Sequence, residues 1–166
     1  PLQSGNDQQL LAMNRQYTTG NYADLLKMIV KRIPDVGLGT DLVVGFPGET
    51  DSDFENTFQF VSDQPFSYLH VFSYSDRPGT AAERLIDKVP SKIIKRRTRR
   101  LIELGEQKKK DFATRFVGQK MPVLFDQYRD GIAGGYTPNY LRVEIKSDRD
   151  LRRQIVDTTI EESSKF

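Results

Sequence analysis

The stretch best suited to hold a small molecule is GTDLVVGFPGET, residues 39–50. Leu42, Val43 and Val44 form a short apolar run bounded by turn residues, the pattern of a parallel-sheet strand, expected over residues 42–46. Gly45 and Gly48 let the backbone approach a ligand, and Pro47 stiffens the crossing from Phe46. Glu49 and Thr50 then reach the start of a helix. Parallel α/β folds bind ligands at this carboxyl end of their strands. Two further strand tips carry polar or cationic groups. PLQSG, residues 1–5, reads as a strand end and turn bearing Gln3 and Ser4. YLHVFS, residues 68–73, runs into the loop YSDRPGT and presents Phe72, Ser73, Tyr74 and Arg77. Each has a plainer reading: turn capping for Gln3 and Ser4, core packing for Phe72, a surface ion pair with Asp76 or Glu83 for Arg77. His70 alternates with apolar neighbours and reads as a hydrogen-bonded wall residue rather than a catalyst.

The elements that would position these tips follow in alternation. Asn6 or Asp7 can cap a short helix carrying Leu10, Leu11 and Met13. Residues 21–32 place Tyr22, Leu25, Leu26, Ile29 and Val30 at spacings of 3 and 4, an amphipathic helix stopped by Pro34. Thr50 can cap a helix with Asp51 and Asp53 in its first turn and Phe54, Thr57, Phe58 and Val61 buried. Strand, helices, strand, helix, strand is the order of a parallel sheet or barrel. Ser91 is expected to cap a long helix over residues 92–116. It holds ten basic residues, among them Lys95, Arg96, Arg99 and Arg100, against Glu103, Glu106 and Asp111. Its thin apolar seam is Ile94, Leu101, Leu104, Phe112 and Phe116.

Beyond Gly118 the pattern changes to short strands, expected at residues 123–125, 132–136, 141–145 and 155–160. Turns such as Arg129-Asp130-Gly131 and Thr137-Pro138-Asn139 separate them. They suggest a small antiparallel barrel of oligonucleotide-binding type. Two domains are therefore expected, 1–117 and 118–166, with a polar tail from Glu161 that frays.

Composition excludes several functions. The 166 residues contain no cysteine and one histidine, which removes disulfides, thiolate metal sites and cysteine nucleophiles from this chain. No apolar run approaches a membrane span. A net charge of +2 hides an asymmetry: residues 1–91 hold 7 basic and 12 acidic residues, residues 92–166 hold 18 and 11. A basic half points to nucleic acid. The opening at Pro1, inside an element, reads as a fragment of a longer protein.

PLQSG, MNRQYT (residues 13–18), TDLVVGFPGETDSDF (residues 40–54) and LHVFSYSDRPGTAA (residues 69–82) occur in an order and spacing that closely resembles the radical-SAM methylthiotransferases of the MiaB type. The tail resembles the TRAM domain that ends these enzymes. LQSG is similar to the tRNA-modifying branches rather than the ribosomal-protein-modifying one. LHVFSYSDRP and GGYTPNYLRV look most like the branch often called MtaB, which methylthiolates N6-threonylcarbamoyladenosine next to the anticodon.

The resemblance implies an α/β fold: the later strands of a partial (β/α) radical-SAM barrel, then TRAM. It implies S-adenosyl-L-methionine as cofactor and methyl donor, with two 4Fe-4S clusters held by cysteines upstream of this chain, which alone would be catalytically inactive. It implies a cytoplasmic enzyme acting on a tRNA anticodon stem-loop. Gln3 and Ser4 would meet the ribose or methionine group, Val43 the adenine, and Gly45, Phe46, Pro47, Gly48 and Glu49 would form the family's GxIxGxxE-like segment. Glu49 falls one position late in that pattern and has helix capping as its other reading. Phe72, Ser73 and Tyr74 would meet the adenine edge, Arg77 a carboxylate or phosphate. Lys95, Arg96, Arg99 and Arg100 would meet RNA phosphates, and Tyr136, Asn139, Tyr140 and Arg142 would stack and hydrogen-bond with RNA in the tail. A stand-alone RNA-binding module without catalysis and the ribosomal-protein branch are the competing readings. A barrel cut at Pro1 leaves an open edge, so the isolated chain is expected to dimerise, swap elements or aggregate.

Overall fold

A computed structural model describes residues 1–161; the end of the polar tail, residues 162–166, lies outside the described residues. The chain forms two compact units. One comprises Pro1–Pro34 with Leu38–Lys108; the other comprises Asp35–Gly37 with the chain from Lys109 onward. The second unit begins within the long helix rather than after it. The physical reason is burial: Phe112, Ala113 and Phe116 pack with Leu141 and Ile160.

The first unit starts with α1 (Asp7–Ala12) and α2 (Thr19–Arg32). Asn6 caps α1, its side chain accepting from Gln9 N–H. Thr18 and Asn21 form a capping box that opens α2 two residues before the expected start. β1 (Gly39–Val44) and β2 (Tyr68–Ser73) pair in parallel, Gly39 opposite Tyr68 through Val44 opposite Ser73. α3 (Asp51–Asp63) connects them, and α4 (Ser91–Thr114) follows β2. β2 matches expectation. β1 begins three residues early and ends before Gly45, whose φ of +82° breaks the strand and leaves Phe46 in the turn. β1 also alternates rather than being buried on both faces: Thr40, Leu42 and Val44 face the core. That core joins Leu2, Leu26, Leu42, Val44, Phe54, Val61, Phe66 and Leu101. On the other edge of β1, Gln3 makes an isolated parallel bridge to Leu42.

Thr50 caps α3 as expected, in a reciprocal box with Asp53. Ser91 does not cap α4. It is the helix's first residue, and the carbonyl of Pro90 accepts from Ile93 and Ile94 instead. No helix among the described residues is long and apolar enough to cross a membrane.

The second unit is a four-stranded antiparallel sheet in the order β5 (Arg142–Lys146), β4 (Ile132–Tyr136), β3 (Lys120–Arg129), β6 (Gln154–Thr159). Asp130 and Gly131, both at positive φ, turn β3 into β4, as Asp-Gly hairpins do. A bulge at Asp126 shifts the β3–β4 register. Val123, Phe125, Ala133 and Leu151 form the core on one face. β5 and β6 remain edges among the described strands, so the expected closure into a ring is not seen there.

Candidate nucleotide pocket

Three tips converge on a cavity of about 800 Å³ in the first unit. Gln3 supplies the first. Ser4 N–H bonds to Leu2 C=O at 2.9 Å, closing a γ-turn centred on Gln3 at φ +70°. A non-glycine residue held there stores strain, which recurs at ligand clamps. The turn is fixed by Gln3 N–H to Asp41 C=O (2.8 Å) and Val43 N–H to Gln3 C=O (2.9 Å). Tyr17, from the MNRQYT motif, donates its hydroxyl to the carbonyls of Pro1 (2.9 Å) and Leu2 (3.1 Å).

β1 supplies the second tip. Asp41 and Val43, pointing away from the core, line the cavity with Phe46. Phe46, Pro47, Gly48 and Glu49 form a four-residue turn closed by Glu49 N–H to Phe46 C=O at 3.0 Å, with Pro47 second and Gly48 third at φ +84°. Proline then glycine at these positions is the chemistry of a type II turn. β2 supplies the third tip: Phe72, Ser73 and Tyr74 line the cavity, and Tyr74 meets Phe46 edge-on at 5.4 Å between ring centres. Arg77 and the short helical turn Ala81–Arg84 continue the wall. Lys88 secures this loop by pairing with Asp76, which accepts from the Tyr74 hydroxyl at 2.8 Å. The ammonium of Lys88 and the phenol of Tyr74 hold the Asp76 carboxyl below its ordinary value.

Of the cofactor residues read from the sequence, Gln3, Val43, Phe46, Phe72, Ser73, Tyr74 and Arg77 line this cavity. Phe72 is 54% exposed, so it is wall rather than core. Ser4 and Glu49 lie elsewhere. Ser4 is buried, its hydroxyl 3.1 Å from Thr57 Oγ1. Glu49 is buried behind the turn, accepting from Gly45 N–H (3.0 Å) and from Arg97 (2.6 Å). Gly45, Pro47 and Gly48 shape the turn without lining the cavity; a Cβ on Gly45 would lie 2.6 Å from Ile94 Cδ1 and closer still to its Cγ1. The ion-pair alternatives for Arg77 are not formed: Asp76 is held by Lys88 and Tyr74, and Glu83 accepts from Gly79 N–H. His70 is exposed and meets Asp41 Oδ1 through Nδ1 at 3.0 Å.

Sequence reasoning did not single out Met13, Asn14 and Arg15, which also line the cavity. Their signal was the motif MNRQYT itself. Met13 ends α1, and Asn14 at φ +56° turns the chain so that Arg15 N–H reaches Leu10 C=O. Arg97 was also hidden, inside the basic run of α4.

Within that run the geometry separates two groups. Arg97, 3% exposed, bonds to the Glu49 carbonyl, the Glu49 carboxylate and Asp51. Arg100 pairs with Glu55 and lies over the rings of Phe54 (5.0 Å) and Phe58 (4.6 Å), so it is engaged within the unit. Lys95, Arg96 and Arg99 are exposed; Arg96 lies 3.6 Å from Asp51 and Arg99 pairs with Glu103 one turn on. In the second unit Tyr136 and Tyr140 are 39% and 72% exposed, with ring centres 5.8 Å apart. Asn139 donates to Asp35 C=O, and Arg142 to Gln127 and Glu144 while lying over the Tyr136 ring.

A cavity of this size, with apolar walls and a few polar groups, fits a nucleoside-sized ligand. The chain does not fit an iron–sulfur cluster, which needs cysteine thiolates that it lacks. Among the described residues no cluster of His, Cys, Asp or Glu is arranged to hold a metal.

Residues 1–61, which hold two of the three tips, match the family model described as the Radical SAM superfamily. Curated relatives narrow the class. The chain is 36% identical over 165 residues to the threonylcarbamoyladenosine tRNA methylthiotransferase MtaB of Bacillus subtilis, covering 96% of this chain and 37% of the relative. It is 42% identical over 123 residues to the MtaB protein of Aquifex aeolicus, covering 74% and 30%. It is 36% identical over 163 residues to the tRNA-2-methylthio-N(6)-dimethylallyladenosine synthase of Endomicrobium trichonymphae, covering 98% and 39%. The chain belongs to the radical-SAM methylthiotransferase family. It spans less than two fifths of the length of these relatives.

Proposed function

We propose that this chain is part of a tRNA methylthiotransferase and forms one wall of its cofactor and nucleotide pocket. The observation that carries this reading is the convergence of three strand tips on one cavity in a chain whose relatives are tRNA methylthiotransferases. S-adenosylmethionine at a reduced 4Fe-4S cluster supplies the radical chemistry when the complete site is assembled. This chain's own residues bind and orient. Val43, Phe46 and Phe72 offer apolar surface to an adenine ring and exclude water from it. Gln3 and Ser73 offer polar atoms to ribose or methionine groups. The cluster ligands are absent from this chain, which is therefore inactive by itself in this reading.

The finer assignments belong to the same proposal. N6-threonylcarbamoyladenosine next to the anticodon is the favoured nucleoside, supported by the two MtaB relatives. The second unit acts as a TRAM-type RNA-binding domain. Its support is the exposed pair Tyr136 and Tyr140. In the first unit, exposed Lys95, Arg96 and Arg99 of α4 offer phosphate contacts of their own. In this reading the enzyme is cytoplasmic. An RNA-binding module without catalysis is the second reading, favoured by the lack of cysteine.

Titration of the chain with S-adenosylmethionine, followed by NMR, tests the first reading. Weak saturable binding is expected, with Val43→Glu reducing affinity by ~10-fold or more as a buried charge meets the adenine face. Absence of binding, or a variant that binds like the parent, counts against the cofactor role.

A further inference from the structure

Two arginines line the cavity without a carboxylate partner among the described residues. Arg15 leaves the end of α1, and Arg77 lies in the loop after β2. Neither takes part in an ion pair among the described residues, and both side chains are exposed. The acidic group on the wall, Asp41, is 3.0 Å from His70 Nδ1. The apolar part of the wall is Phe46, which is buried, Val43, which is half-buried, and Phe72, which is exposed. One cavity therefore combines apolar surface for a flat ring with two exposed guanidinium forks.

We infer that Arg15 and Arg77 form a phosphate clamp that grips the RNA backbone beside the nucleotide whose base enters this cavity. The inference rests on the proposed tRNA reading and adds the residues that hold the polymer. An enzyme acting on a base must take it out of its stack, and the phosphate beside an extruded nucleotide then stays at the entrance. Guanidinium forks match phosphate oxygens bidentately and stay charged at any working pH. Exposed arginines without an ion pair suit such a ligand, because their desolvation is small and no internal ion pair must break. The carboxylate of a methionine group is the other anion of matching chemistry.

The test is fluorescence-anisotropy titration of a labelled anticodon stem-loop RNA with the chain and its Arg15→Gln, Arg77→Gln and double variants. S-adenosylmethionine affinity is measured in parallel by NMR. Both side chains are exposed, so the variants are expected to fold, and circular dichroism checks this. The double variant is expected to bind RNA ~10-fold or more weakly near 0.1 M salt. Its log–log salt slope should flatten by about 1.4, the loss of two phosphate contacts to single-stranded RNA. S-adenosylmethionine affinity should change by much less than RNA affinity. RNA affinity and salt slope equal to the parent's would overturn the clamp while leaving the tRNA reading intact. If S-adenosylmethionine binding falls instead, the arginines belong to the cofactor and the clamp is wrong. No RNA binding by the parent chain overturns the clamp and the tRNA reading together.

Discussion

Arg97→Ala is expected to destabilise the first unit by about 3–5 kcal/mol, because it leaves the carboxylate of Glu49 buried without its cation. Both side chains are 3% exposed and 2.6 Å apart. The same guanidinium holds the Glu49 carbonyl and Asp51, so it ties the turn after β1 to α4. Burial pushes the Glu49 carboxyl above its ordinary value of 4.5, and the Gly45 N–H and Arg97 only partly offset this. Removing Arg97 pushes it higher. A carboxyl raised on folding contributes stability below its unfolded value, and that contribution is lost as pH rises through the folded value. The deficit of Arg97→Ala should therefore be larger at pH 8 than at pH 5, read as urea midpoints at the two values. Glu49→Leu with Arg97→Met should recover much of the loss, since an apolar pair of similar volume often replaces a buried ion pair without penalty. A loss under ~1 kcal/mol, or one independent of pH, would refute the buried-pair account.

Two adjacent glycines in β4 should respond very unequally to alanine. At Gly135 a Cβ would meet the backbone of β3, lying 2.7 Å from Phe125 Cα and closer still to the Leu124 carbonyl oxygen. Backbone cannot step aside without breaking the ladder in which Gly135 pairs with Phe125 and Val143. Gly135→Ala is expected to cost about 3 kcal/mol or more, or to prevent the second unit from folding. At Gly134 the obstacle is the tip of the Arg142 side chain, which can move. Gly134→Ala should fold, at a cost of about 1 kcal/mol, while lifting Arg142 from its place near Tyr136 and Gln127. Thermal melts of the two variants decide the matter. Similar losses at both positions would contradict the geometry.

How much was legible follows from the kind of signal each feature left. Thr50 followed by Asp53 announces a helix start, and β2 and β4 stand between clear turn residues, so their bounds were readable. The Asp-Gly turn after Arg129 was readable for the same reason. β1 was misplaced because Val44–Phe46 looks continuous on paper, whereas Gly45 takes a positive φ that no apolar count records. Arg97 looked like one more member of a solvated stripe. Yet it stands three residues after Ile94 and four before Leu101, on the apolar seam itself, and a cation on a buried face demands an acid nearby. That spacing was the available signal. Arg15 offered none beyond its motif, because a pocket wall assembled from four separate segments has no period in the sequence.

The pairing of β2 on one side only has a consequence for its amides. Tyr68 N–H reaches Leu38 C=O and Tyr74 N–H reaches Val44 C=O, so the even-numbered amides of this strand point toward β1. Those of Leu69, Val71 and Ser73 point the other way, where no strand pairs among the described residues. Deuterium uptake along β2 should therefore alternate residue by residue, slow at His70 and Phe72, fast at their odd-numbered neighbours. If copies of the chain join through this margin, the alternation should level out as concentration rises.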